Sequence, residues 1–439
     1  MKGLNLKKIS SDILVKGSWL TLIALYVYQF VLIYKYSVDI PFKDEWVYFK
    51  PGHPLRLPES LNLNWLFTRI SEHTIVMTNL LTWLNFKMFG LDFFKQKIFN
   101  FIIFGVLLLA MIRLKDRIIG RSSFRIFPAF LFFLLSPIAV ENHTWGFQSQ
   151  IHLVLLFFVL MLIYMKDERL SAVGTTIFLS ASILAIYSFA AGVILALICL
   201  IFRNLHIVSL IAKNEIGKRA GLLNAATCSV IIGGIIALWF TGYEKPDYIP
   251  PGIWPTEAAF WDYYLNMLSF GFGFDSQNLL PGVIFLILSL LPVVLLFTRR
   301  LDADVICISA AIIAVLAVLA SISFGRASLG GAKTSRYVEI SFLLIPFVAM
   351  AWWLPLKSSL AKNLVLSLLW ISCFCSYLDN WIPSLYLEVY RSDRSTFDCV
   401  SNYYRFGGDA LCQEYWITPA HLENARDLNI NFTRQAVQP

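Results

Sequence analysis

The fold is decided by residues 174–203, GTTIFLSASILAIYSFAAGVILALICLIFR, thirty residues with no charge before Arg203. A membrane helix needs about 20 apolar residues, so this run is too long for one ordinary span. The Tyr187-Ser-Phe-Ala-Ala-Gly192 interruption predicts two spans joined by a tight turn.

Working outward, comparable runs recur at Ser18–Tyr34, Phe99–Ile112, Ile151–Met165, Leu222–Phe240, Leu279–Phe297, Val305–Phe324, Ile340–Leu354 and Leu364–Tyr377, with a shorter one at Phe127–Val140. The chain of 439 residues is 58% hydrophobic and only 15% charged, with mean hydropathy +0.66. No soluble core hides that much apolar surface. The expectation is an all-α polytopic membrane protein with about eleven spans, at roughly 17–36, 96–113, 126–140, 149–165, 171–187, 190–204, 221–241, 279–298, 304–324, 337–355 and 363–379. Aromatic residues fill the first run and no small-residue cleavage site follows it, so it reads as a retained span.

The net charge of +8 does not point to nucleic acid, because the cations sit mainly in links between spans. With the amino terminus in the cytoplasm, Arg113, Lys115, Arg117, Arg121, Arg125, Lys166, Arg169, Arg203, Lys213, Lys218, Arg219, Arg299, Arg300, Lys357 and Lys362 fall inside. The opposing short loops hold only Lys245, Arg326, Lys333 and Arg336. Residues 1–379 then form one membrane domain whose long outer loops are 37–95 and 242–278, followed by an outer tail, 380–439. Within the first loop, 71–90 reads as an interfacial helix capped by Ser71. Five cysteines lie in spans and read as packing residues. Cys399 and Cys412 lie in the tail, where a disulfide between them is open.

Four polar clusters carry possible chemistry. Asp39-Ile-Pro-Phe-Lys-Asp44-Glu45-Trp46 sets two adjacent carboxylates at the membrane surface, able to act as a general base or to bind a cation, or simply to be solvated. Glu72-His73 could orient a hydroxyl; two adjacent ligand types do not make a metal site, and no paired metal-ligand motif occurs. Residues 141–152 (ENHTWGFQSQIH) place Gln148, Gln150 and His152 at the start of a span, where polar groups are costly unless they face a cavity. Residues 324–337 (FGRASLGGAKTSRY) bring Arg326, Lys333 and Arg336 against the charge bias, with glycines and guanidinium forks suited to phosphate. An acid pair, a polar cavity and a cation cluster on one face suit glycosyl transfer from a lipid-linked phosphate sugar.

Asp44-Glu45-Trp46, Glu72-His73, Trp145–Gln150 and Gly325-Arg326 through Ser335-Arg336-Tyr337 resemble motifs of the GT-C superfamily of membrane glycosyltransferases. In size and outer tail the chain looks most like the serotype-converting O-antigen glucosyltransferases, although Thr74 stands where related sequences continue Glu-His with Arg. The resemblance implies a bacterial inner-membrane enzyme with a periplasmic carboxyl terminus. Its donor would be a polyprenyl-phosphate sugar, its acceptor a glycan such as lipid-linked O-antigen, and the displacement a single inverting one that moves one sugar, glucose by analogy. On this resemblance Asp44 is the base, with Glu45 second. Arg336, then Arg326 and Lys333, would neutralise the leaving phosphate, while Glu72, His73, Gln148, Gln150 and Tyr337 would position substrate. Trp46, Trp65, Trp145, Trp254 and Trp261 are candidate sugar platforms. No cofactor is fixed by the sequence, which leaves a divalent metal open without indicating one. The other readings are a transporter or flippase for a lipid-linked saccharide, which would carry ionisable groups deep in its spans, and a polysaccharide polymerase or ligase.

Overall fold

The computed structural model describes residues 6–70, 72–167, 170–244, 250–270, 278–299, 301–407, 412 and 417–437, with side chains from residue 12 on. Ser71, Arg169, Lys245 and Arg300, to which the sequence reading assigned capping or topological roles, lie outside the described residues.

The decisive stretch forms two helices, Ala172–Ile186 and Ala191–Ala212. They meet so closely at the break that a Cβ on Gly192 would stand 1.9 Å from the Ala185 carbonyl oxygen, which no side chain tolerates. The second helix runs further than expected. Arg203, assigned to a link, is instead fully buried within it. Its guanidinium donates to the Tyr164 carbonyl at 3.2 Å, to Thr175 Oγ1 at 3.0 Å and to Asn224 Oδ1 at 3.2 Å. These acceptors make burial tolerable.

The protein is almost wholly helical and membrane-spanning in character. Among the described residues nine helices are long and apolar enough to cross a bilayer, and Ala172–Ile186 is a shorter apolar helix. The count differs from eleven for two reasons. Ala172–Ile186 falls short of spanning length, and Phe127–Val140 is broken into Pro128–Leu131, Phe132–Leu135 and Pro137–Ala139. Pro137 cannot donate to a helical ladder and holds Ser136 extended. Such irregular backbone is admissible at membrane depth only when protein encloses it, and Phe127, Leu131, Phe133 and Leu134 are all buried.

Contacts at helix ends fix the alternation. At one end Lys166 pairs with Asp304 and donates to the Arg117 carbonyl at 2.7 Å, while Arg299 donates to the Pro355 carbonyl at 3.1 Å. At the other, Lys43 pairs with Glu141, Arg326 with Glu72, and Arg69 donates to the Trp239 carbonyl. The first long loop therefore lies at the same end as the links 141–148 and 326–337.

Within that loop the expected helix begins at Val76 and ends at Phe89, with Gly90 closing it in the left-handed conformation. Its 14 residues extend about 21 Å, short of the hydrocarbon thickness. Its polar face turns inward. Thr78 bonds Ser149 Oγ at 2.9 Å and Thr82 accepts from Gln96 at 3.0 Å, whereas Leu84 and Met88 are exposed. Preceding it, Arg69–Ile70 pairs antiparallel with His73–Thr74, matching Ile70 with His73.

The tail packs onto the same end. The helix Ser384–Phe406 is anchored by a fully buried ion pair, Lys97–Asp393 at 3.2 Å, and by Gln29 donating to the Tyr386 hydroxyl at 2.6 Å. Arg56 donates to Asn424 Oδ1 at 2.7 Å and Asn431 to Asp39 Oδ2 at 2.6 Å. Phe432 is seated against Trp46, Phe49 and Phe93. Cys399 and Cys412 are joined by a disulfide, Cα to Cα 5.9 Å.

Candidate functional site

A cavity of about 130 Å³ opens where the first loop meets the two polar links, walled by Asp44, Ile70, His73, Trp145, Phe147, Gln148, Gln150, Ile151, Phe189, Arg326, Arg336 and Tyr337. Each polar group arrives on its own element. Asp44 lies on the short 3-10 helix Lys43–Phe49, His73 on the short hairpin, Trp145 through Gln150 on the turn into and first residues of Ser149–Met165, and Arg326 at the end of Ala303–Arg326.

Asp44 and Glu45 diverge. Asp44 is exposed at the cavity wall, with protein crowding its other sides. That desolvation raises its carboxyl above the usual range, against the opposing pull of Arg336, Lys43 and Arg326. Because water reaches the group, the effect is one of direction. Glu45 points the other way and is fully buried. Its Oε2 accepts from the Phe42 N–H at 2.8 Å and its Oε1 from the Phe147 N–H at 2.9 Å. Burial pushes its pKa up to about 8 in spite of those bonds. Glu45 is off the cavity wall, so the second-base expectation does not fit its position; it ties the first loop to the 145–148 turn.

The cations are held by acids from distant parts of the chain. Glu141 lies between two of them, paired with Lys43 and 3.7 Å from Arg336 Nε. The Glu141 N–H donates to Ser335 Oγ at 3.0 Å, and Asn142 Nδ2 donates to the Arg336 carbonyl at 3.3 Å. The Arg336 guanidinium also lies 5.9 Å from the Trp145 ring centre, within cation–π reach. Glu72, expected to touch substrate, instead pairs with Arg326 and stands 3.5 Å from His73 Nε2. His73 rests on the Phe189 ring at 4.3 Å, and burial lowers its pKa to about 4, so it is a neutral imidazole at physiological pH. Gln150 Oε1 has no hydrogen-bond partner.

Lys333 does not line this cavity; its Nζ lies 5.6 Å above the Phe270 ring. Of the five candidate tryptophans, Trp145 alone is on the wall. Trp46 packs edge-on against Phe432 at 5.7 Å, Trp65 donates to the Leu55 carbonyl at 3.2 Å, Trp254 packs on Phe324 and Trp261 donates to the Pro255 carbonyl. Lys43 and Glu141 had been given no role, yet they brace the site. Nothing local in the sequence pairs two residues 98 positions apart.

Buried charge is also more frequent in and beside the spans than their composition suggested. Lys97–Asp393 and the group His143, His152 and Glu339 have no exposed side-chain surface. Each charge meets its partner across a long sequence separation, which is why a span-by-span reading overlooks it.

No protein-family model and no curated protein matches the chain. Among solved structures it is similar to ArnT from Cupriavidus metallidurans bound to undecaprenyl phosphate. The likeness covers 95% of this chain and 76% of that one, at 13% identity and a TM-score of 0.43.

Proposed function

We propose that the protein is an inverting glycosyltransferase, working on the outer face of a bacterial inner membrane, that moves one sugar from a polyprenyl-phosphate donor to a lipid-linked or surface polysaccharide such as O-antigen. The observation that carries this reading is one cavity walled by an accessible carboxylate, Asp44, and two guanidinium groups, Arg326 and Arg336, at one end of a membrane bundle. The lipid tail of such a donor needs the bilayer, its phosphate needs cations, and the acceptor hydroxyl needs a base.

In this reading the acceptor oxygen attacks the anomeric carbon while Asp44 takes its proton. The bond from that carbon to the phosphate oxygen breaks with inversion, and the polyprenyl phosphate departs with its charge met by Arg336 and Arg326. A raised carboxyl pKa suits a base that must take a proton near neutral pH. The neutral His73, Gln148 and Gln150 offer hydrogen bonds to sugar hydroxyls, and Trp145 offers an apolar ring face. Glu45, Lys333 and Trp46 have no part in the step.

Mass spectrometry of the surface glycan from strains with and without the gene tests this. A single hexose present only with the gene is the expected result. Loss of polymer length points to a polymerase or ligase instead, and an unchanged glycan contradicts transfer to the surface polysaccharide.

A further inference from the structure

The segments that wall the cavity also carry a sealed group of ionisable side chains. His143, His152 and Glu339 have no exposed side-chain surface, and their ligand-type atoms lie within 4.8 Å of one another. His143 Nε2 stands 2.9 Å from Glu339 Oε1, and His152 Nε2 stands 2.9 Å from Oε2. Both approaches are at ion-pair distance but off the angles of a directed hydrogen bond, so the two Nε2 atoms and both carboxylate oxygens are held by charge alone. Buried polar atoms in that state are costly.

The tautomer of His152 sharpens the point. Its Nδ1 lies 2.6 Å from Asn100 Oδ1 and 3.2 Å from the Asn100 carbonyl oxygen. Two acceptors place an Nδ1 proton toward Asn100 and leave Nε2 facing a carboxylate oxygen. That approach is closed either by a proton, as an ion pair, or by a metal ion that both atoms bind. An outer N–H donated to a carbonyl is also the usual backing of a metal-bound histidine. Phe104 packs against both rings, its centre 5.2 Å from that of His143 and 5.0 Å from that of His152, which fixes their orientation.

We propose that His143, His152 and Glu339 bind a divalent metal ion of the zinc type. Two imidazoles and a carboxylate form a donor set suited to zinc rather than to calcium or magnesium, which favour oxygen ligands. Ligand atoms around a tetrahedral zinc lie about 3.3 Å apart, so the observed pairs need only open slightly. Being sealed from solvent, the ion is a strut and not a Lewis acid for substrate. It joins three segments that wall the cavity: Glu141 precedes His143 by two residues, Gln150 precedes His152 by two, and Arg336 precedes Glu339 by three. The site does not depend on the transferase reading.

The test is metal analysis of the full-length protein in detergent, purified without chelator and freed of any histidine tag, then repeated after zinc addition and dialysis. About one equivalent of zinc per chain is expected, with X-ray absorption showing nitrogen and oxygen neighbours. Glu339→Gln keeps the side-chain shape and should lower zinc affinity roughly tenfold or more, while the protein still elutes as a single species. His143→Gln provides an independent ligand loss should that variant not fold. Wild-type protein that takes up no zinc overturns the proposal. So does a sulfur neighbour in the absorption spectrum, or full retention of zinc in both variants.

Discussion

Asp44 and Glu45 are adjacent in the chain and face opposite ways, one toward the cavity and water, the other into the junction of the first loop with the 145–148 turn. On a 3-10 helix successive side chains diverge, and only the surrounding rings decide which of two acids is buried. Spacing alone could not separate them. Glu45→Ala leaves the Phe42 and Phe147 N–H groups without acceptors, and each such buried donor costs about 1–3 kcal/mol. The thermal midpoint in detergent should fall accordingly. Glu45→Gln, which keeps one acceptor oxygen, should fall less. A carboxyl held near 8 in the folded protein, above its ordinary value, favours folding at low pH and loses that contribution as pH rises through about 8. Wild type should therefore lose stability between pH 5 and pH 8 by a margin that Glu45→Gln does not show. An unchanged midpoint in Glu45→Ala would contradict this account of the junction.

At the scale of elements, the hairpin Arg69–Thr74 carries His73 to the cavity while Glu72 holds Arg326 beside it. His73 is depressed to about 4 by burial, so the unfolded chain binds its proton first. The contribution to stability is complete above pH 6.5 and is lost as pH falls toward 4. His73→Asn should flatten that part of the pH–midpoint curve, and the same slope in the variant would rule His73 out as its source. Elements were the most legible level of the sequence. The break at 187–192 and the short helix within the first loop both follow from residue pattern, since apolar run length and interruptions are local properties. By composition Phe127–Val140 reads as a span, but Pro137 breaks its backbone. Enclosure by neighbouring helices, which no local pattern records, lets it remain at membrane depth.

For the molecule as a whole, the alternation of helix ends brings the first loop, both polar links and the tail to one side. The cationic links Lys166, Arg117 and Arg299 lie at the other. On the positive-inside tendency we propose that the cationic end is cytoplasmic. A reporter that is active only outside the cytoplasm, fused after Pro439, should therefore be active, and a cytoplasmic reporter there should be silent; the reverse pattern would invert the orientation. The clustering of Asp44, Arg326 and Arg336 could be suspected from charges that broke the topological bias. What holds them could not. Lys43–Glu141, Glu72–Arg326 and Lys97–Asp393 are 98, 254 and 296 residues apart, and Glu339 attracted no notice until the fold set it against His143 and His152.

In the proposed reaction the Asp44 carboxylate takes a proton from a sugar acceptor in a cavity whose arginines receive a lipid phosphate. Its most direct measurement is sugar transfer by the purified protein in lipid, given a polyprenyl-phosphate hexose and a glycan acceptor, wild type against Asp44→Asn. Wild type should form the glycosylated product, and Asp44→Asn, inserted and abundant to the same degree, should be slower by roughly 10²–10⁴-fold, the usual contribution of a general base. Transfer by Asp44→Asn at the wild-type rate would contradict it.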